Sequence, residues 1–203
     1  MSWLPSGTVY GTLLNLRSEF DALAPQMHQP PYKAPPRAPV LYVKTANTFS
    51  PAGAAIAVPA RVPEVEIGAT VGLVIGDSGR LQGCALMNDL SVPHASFYRP
   101  PIRFRCLDGF LGVGAEVRQA DPAAVRIEVR INGEIRQMVR FDALLRPPMQ
   151  LLADVAEFMT LAPGDVLMLG CAAPRPRARA GDRIELTSAE LGTLAHTLVA
   201  ETP

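Results

Sequence analysis

The side chains most able to do chemistry in this 203-residue chain are a few carboxylates and cations set among apolar runs. Glu64-Val65-Glu66 places two carboxylates at i and i+2, and on a strand such a pair points the same way. Oxygen donors of that kind are what Mg²⁺ or Mn²⁺ takes. Asp89 stands in Asn88-Asp-Leu-Ser, directly after a short apolar run. A few local cations among the 19 Lys and Arg would suit a site for an acidic metabolite. An Arg keeps its charge and cannot carry a proton, but it can grip a carboxylate in two-pronged fashion.

Other reactive types offer less. Cys84, Cys106 and Cys171 are odd in number, widely spaced and without a CxxC pair. Disulfide and zinc frameworks both fit poorly, so buried, reduced thiols are expected. A nucleophilic Cys171 would need an activating base, and none is identifiable beside it. His28, His94 and His196 are expected to be exposed loop residues.

Composition bounds the function classes. Lys+Arg and Asp+Glu both number 19, which argues against bulk nucleic-acid or membrane-surface binding, since both need a cationic excess. At 48% hydrophobic the chain can fill a core, and its length suits one domain over 1–203. No apolar run reaches the ~18 residues of a membrane span. The opening Met-Ser-Trp-Leu-Pro lacks the basic and apolar regions of a secretory signal. A cytoplasmic enzyme or enzyme subunit is expected.

These residues need elements to hold them. Twenty prolines break helix interiors, so long helices should be few. Residues 8–16 read as a strand and turn, and 17–28 as weakly helical. Gln29–Pro39, with its repeated prolines, reads as an extended surface arm, so 1–39 form an amino-terminal segment ahead of a β-rich core over 40–203. Val40–Lys44, 67–76, Gly83–Met87, Gly112–Arg118, Val125–Ile131, Val166–Leu169 and Arg183–Thr187 read as strands. Residues 45–61 and 92–101 read as loops. Asn132-Gly133 is a two-residue hairpin signal, because both residues tolerate positive φ. Residues 148–160 are the main helix, with Leu151, Leu152, Val155, Phe158 and Met159 in one stripe and Pro147-Pro148 at its start. The class is α+β, rich in β.

Several segments together resemble the fumarylacetoacetate hydrolase family: Val71–Gly76, Asn88-Asp-Leu-Ser, Asp108-Gly-Phe, Asn132-Gly-Glu-Ile-Arg-Gln, Phe158-Met-Thr-Leu-Ala-Pro-Gly-Asp-Val, and Ala180-Gly-Asp-Arg-Ile with Leu191-Gly-Thr-Leu. Tyr98-Arg-Pro-Pro-Ile-Arg-Phe-Arg-Cys-Leu-Asp-Gly-Phe and the opening VYGTLLNL are similar to the branch acting on homoprotocatechuate ring-cleavage products. Two homologous halves occur there, fused or separate, and this chain resembles the amino-terminal half. The resemblance implies a mixed, rolled β-sheet, assembled as a homodimer or as a heteromer with a homologous second half. It implies a subunit of a decarboxylase/isomerase of 4-hydroxyphenylacetate catabolism, acting on 5-oxopent-3-ene-1,2,5-tricarboxylate, with Mg²⁺ or Mn²⁺ as Lewis acid. The alternative is a catalytically silent half that supports a metal-binding homologous partner.

The resemblance also assigns roles. Asp89 matches one metal ligand, and the family's other two carboxylates fall at Gly68 and Thr70, which supply none. Glu64 and Glu66 have the right mutual spacing but lie four residues early, about 13 Å along a strand. Asp89 alone should hold Mg²⁺ weakly at best, so the metal site is degenerate. Asp89, Arg105 (in place of a catalytic Lys) and Asp108 are the expected catalytic positions, with Asp108 orienting a cation. Lys44, Asn88 and Arg103 are expected to bind substrate. The family's lid His and Glu correspond to Glu19 and Ala22.

Overall fold

The computed structural model describes residues 2–94 and 101–201. The strands are β1 (Val9–Leu13), β2 (Val40–Lys44), β3 (Phe49–Pro51), β4 (Ala55–Val58), β5 (Val65–Glu66), β6 (Ala69–Ile75), β7 (Leu81–Asp89), β8 (Leu111–Val113), β9 (Arg126–Ile131), β10 (Glu134–Arg140), β11 (Val166–Met168), β12 (Arg177–Ala178), β13 (Arg183–Ser188) and β14 (Gly192–Ala200). The α-helices are α1 (Arg17–Leu23), α2 (Ile102–Arg105) and α3 (Pro148–Ala156). A seven-stranded sheet runs β2-β1-β11-β6-β7-β8-β3, a five-stranded sheet runs β10-β9-β13-β14-β4, and β12 pairs with β5. Both larger sheets are mixed: β1 runs parallel to β11, and β14 parallel to β4. Among the described residues no helix is long and apolar enough to cross a membrane.

The central strand explains the architecture. β6 is buried at every position, as a strand covered on both faces must be, so it reads as a continuous apolar run rather than an alternation. Ala69, Val71 and Leu73 pack into the larger apolar cluster, shared with Val129, Leu186 and Leu194 of the five-stranded sheet. Val74 points the other way, into a smaller cluster with Val9, Tyr42 and Met87. The period-2 alternation of strand side chains therefore builds two cores from one strand.

Elsewhere the structure refines the sequence reading. Asn132 and Gly133 adopt φ of 52° and 84° and join β9 to β10, as the hairpin signal requires. β1 is hydrogen-bonded between β2 and β11, so the amino-terminal segment contributes a strand to the sheet. Residues 45–61 are not a plain loop: β3 and β4 lie there, each too short to show its period. The strand expected at Gly112–Arg118 is shorter, ending at Val113. The main helix stops at Ala156, with Leu151 and Val155 buried. Phe158 lies beyond that end and is 57% exposed, so the apolar stripe does not continue through it. Most of the loop expected at 92–101 lies outside the described residues.

Candidate functional site

The site grows from the end of β7. Successive strand residues face opposite ways, so Asn88 and Asp89 serve different cores. Asp89 shares its face with Ala85 and Met87, on the side of the smaller cluster. β2 delivers two groups to that face at i and i+2, Tyr42 and Lys44. Tyr42 can lie flat there because its register partner is Gly11. A Cβ at residue 11 would stand 2.0 Å from the Tyr42 ring, far inside van der Waals contact, so the glycine makes room for the phenol.

Asp89 is fully buried and ringed by cations. The Tyr42 hydroxyl donates to Oδ2 at 2.5 Å, and Arg105 Nη1 donates to the same atom at 2.6 Å. Lys44 Nζ approaches Oδ1 at 3.0 Å. That contact is one of charge rather than a directed hydrogen bond, because the ammonium's three protons go to the carbonyls of Leu90, Arg105 and Phe110. Arg105 sits with its guanidinium carbon 4.3 Å from the Tyr42 ring centre, a cation–π contact. Arg175 Nη1 is a further 3.6 Å from Oδ2.

The electrostatics follow. Burial alone would raise the Asp89 carboxyl's pKa, but Lys44, Arg105, Arg175 and the Tyr42 hydrogen bond outweigh it and hold it well below the usual carboxylate range. Burial, reinforced by the negative Asp89, pushes Tyr42 well above 10, so the phenol stays a donor. Burial lowers Lys44 and Asp89 resists the fall; the carbonyl cradle accepts three N–H bonds and so suits the charged form. Burial pushes Cys171 up to about 12, which leaves a neutral thiol rather than a nucleophile.

Asn88 points into the larger core. Its Oδ1 accepts from Gly68 N at 3.1 Å, which fixes the amide, so Nδ2 donates to His196 Nε2 at 2.8 Å. His196 Nε2 must then be the unprotonated nitrogen. The expectation of an exposed loop histidine is corrected here: His196 lies on β14 and is 2% exposed. Burial drops its pKa to about 4. The unfolded imidazole titrates near 6.5, so the unfolded state binds more protons between pH 6.5 and 4. Stability therefore falls as pH drops through that window, by on the order of 3 kcal/mol in full. Urea midpoints measured from pH 7 to 5 should show this slope, and His196→Gln should flatten it.

The remaining expected site residues are dispersed. Arg103 is exposed and lines a separate cleft with Arg61, Phe104 and Leu107. Asp108 is exposed and accepts from the Asn47 amide at 2.6 Å. Glu64 pairs with Arg177 at 3.4 Å. Glu66 accepts from Ser91 at 3.4 Å. Glu19 is buried, accepting from Leu14 N at 2.5 Å and from Arg175 Nη2 at 3.3 Å. Tyr42 and Arg175 complete the site and carry no motif of their own.

The residues present do not fit a divalent cation. Among the described residues no three His, Cys, Asp or Glu side chains group as a ligand set. Gly68 does lie beside Asp89, accepting from its N–H at 2.8 Å, but a Cβ there would stand 2.3 Å from the Asp89 carbonyl oxygen. Thr70 spends its hydroxyl on the Gly170 carbonyl at 2.6 Å.

The family described as fumarylacetoacetate (FAA) hydrolase C-terminal matches residues 8–199. The chain belongs to the fumarylacetoacetate hydrolase family. Among relatives of this family, the 4-hydroxyphenylacetate degradation bifunctional isomerase/decarboxylase of Salmonella dublin is 37% identical over 205 residues, covering 96% of this chain and 48% of that protein. Its Escherichia coli counterpart is 36% identical with the same coverage. The chain thus spans about half the length of these curated relatives. The rolled fold of the family is shared with 5-carboxymethyl-2-hydroxymuconate delta-isomerase from Mycobacterium smegmatis, with a TM-score of 0.83, 23% identity, and coverage of 100% of this chain and 82% of that one. Fumarylpyruvate hydrolase from Pseudomonas aeruginosa, solved with Mn²⁺ and pyruvate, aligns with a TM-score of 0.79, 18% identity, and coverage of 96% and 90%.

Proposed function

We propose that this chain is the metal-free half of a decarboxylase/isomerase of 4-hydroxyphenylacetate (homoprotocatechuate) catabolism, acting on 5-oxopent-3-ene-1,2,5-tricarboxylate. In this reading it is one domain over its length and works in the cytoplasm beside a homologous, carboxylate-complete half. The divalent cation and its Lewis-acid chemistry reside in that second half. The observation that carries the reading is the state of Asp89. Its carboxylate is wholly buried, with Oδ2 taken up by Tyr42 and Arg105 and its charge already matched by Lys44 and Arg105. The half-length similarity to the bifunctional relatives supports the same division.

The pairing gives the test. With Mg²⁺ or Mn²⁺ present, the chain alone should release no CO₂ from the tricarboxylate, and a mixture with the homologous second half should. Turnover by the chain alone overturns the reading.

A second reading is favoured by the same enclosure of Asp89 among buried cations: the chain is a catalytically silent half that stabilises its active relative. It predicts that the mixture matches the second half alone in kcat/KM, with only stability gained. A higher kcat/KM in the mixture favours participation in the chemistry.

A further inference from the structure

We propose that the cavity between α3 and the β6–β7 turn binds a medium-chain carboxylate, with its hydrocarbon chain against α3 and its head on Arg80. This goes beyond the reading above, because the cavity lies at the far end of the β6–β7 ladder from Asp89. Ala69 pairs with Asn88 at one end and Ile75 with Leu81 at the other, about 20 Å of strand away.

α3 carries more apolar surface than its contact with the core uses. Leu151 and Val155, one turn apart, are buried. Met149, Leu152, Ala153 and Ala156 fall at i, i+3, i+4 and i+7, which makes a second apolar face, and all four line the cavity. A surface helix normally turns polar residues outward, yet Met149 is 65% exposed. Met159 and Leu161 extend the wall. Both pack from behind on the larger apolar cluster, which holds the wall in place. The volume is about 690 Å³, inside the ~300–1,000 Å³ span of small-molecule sites. Methionine side chains, being unbranched, can adjust to the ligand's shape.

The rim sets the charge of the ligand. Arg80 is the one charged residue among those lining the cavity. Its carbonyl accepts from Gly76 N at 2.9 Å, which fixes the root of the side chain at the turn. Its guanidinium is exposed and makes no hydrogen bond or ion pair among the described residues, Asp77 on the same turn included. The Arg80 stem can lie along the apolar wall while the head stays at the mouth. An apolar cavity with one uncommitted guanidinium at its mouth fits a molecule that is hydrocarbon along most of its length and carboxylate at one end.

The test is calorimetric titration of the purified chain with octanoate. Saturable binding is expected. Hexanoate should bind about tenfold more weakly, because two fewer CH₂ groups are buried. Arg80→Gln should weaken octanoate several-fold and leave neutral octanol unchanged, a split that damage to the fold would not produce. Ala156→Trp, at an exposed helix position, should fill the cavity and abolish binding of both, with the urea midpoint unchanged. Absence of saturable binding, equal affinity for hexanoate and octanoate, or parent-like octanoate binding by either variant would each overturn the site. So would a chain that sediments as a dimer, binds no octanoate and becomes monomeric in Ala156→Trp, which would give this face to a second copy. CO₂ release by any mixture has no bearing on these outcomes, so the two proposals fail separately.

Discussion

Asp89→Ala should destabilise the chain by about 3–5 kcal/mol, the range for removing one partner of a buried ion pair. Truncation removes the one carboxylate that faces both Lys44 and Arg105. Both cations stay buried, because Lys44 is tied to three carbonyls and Arg105 lies under the Tyr42 ring. Neither can reach water without opening the junction of β2, β7 and α2. The Tyr42 hydroxyl also loses its acceptor. With a urea dependence of about 2 kcal/mol/M, the midpoint should fall by roughly 2 M. Asp89→Asn isolates the charge, since it keeps volume and one oxygen for Tyr42. It should still lose a large part of this stability. A parent-like midpoint for Asp89→Asn would mean that shape, not charge, holds the cluster together.

This role for Asp89 shows what was legible in the sequence and what was not. The position of Asp89 was readable because Asn88-Asp-Leu-Ser follows an apolar run. Its surroundings were not. Tyr42 looks like any strand aromatic, and only the β1–β2 register that puts Gly11 opposite it turns its hydroxyl toward the carboxylate. Arg175 sits in Pro-Arg-Pro-Arg-Ala-Arg, where neighbouring arginines look alike. The path of the loop alone buries the first and leaves Arg177 exposed. His196 stands at i±2 from the buried Leu194 and Leu198 on β14, so the period-2 pattern was present, and only the polar type of the residue hid its place on the buried face. Long apolar runs and the Asn132-Gly133 turn are local signals and survived intact. The short strands β3, β4 and β12 depend on partners distant in sequence, and no local pattern announces them.

Gly68→Ala should be as damaging as many core truncations, although it adds a single methyl group. The new Cβ would stand 2.3 Å from the Asp89 carbonyl oxygen and 3.0 Å from Cys171 Sγ. The first contact is with backbone, which cannot rotate away. It is also the backbone that closes the β6–β7 ladder at this end, through the Asp89 N–H to the Gly68 carbonyl at 2.8 Å. Overpacking of this kind costs about 1–3 kcal/mol and occasionally more, and a rigid neighbour places the expected loss at the upper end, about 3 kcal/mol by urea titration. The same geometry governs any attempt to build a metal site here. Gly68→Glu combined with Thr70→Glu supplies carboxylates on paper, but the first has no room at its Cβ. The second breaks the bond to Gly170. The third ligand, Asp89, already has its charge matched by Lys44 and Arg105. The double variant should therefore leave added Mn²⁺ free in solution, as read from the electron paramagnetic resonance of the hydrated ion. Loss of that signal at stoichiometric protein, with the fold intact, would show that strands β6 and β7 can part enough to admit a cation, and that Asp89 is less firmly committed than its contacts state.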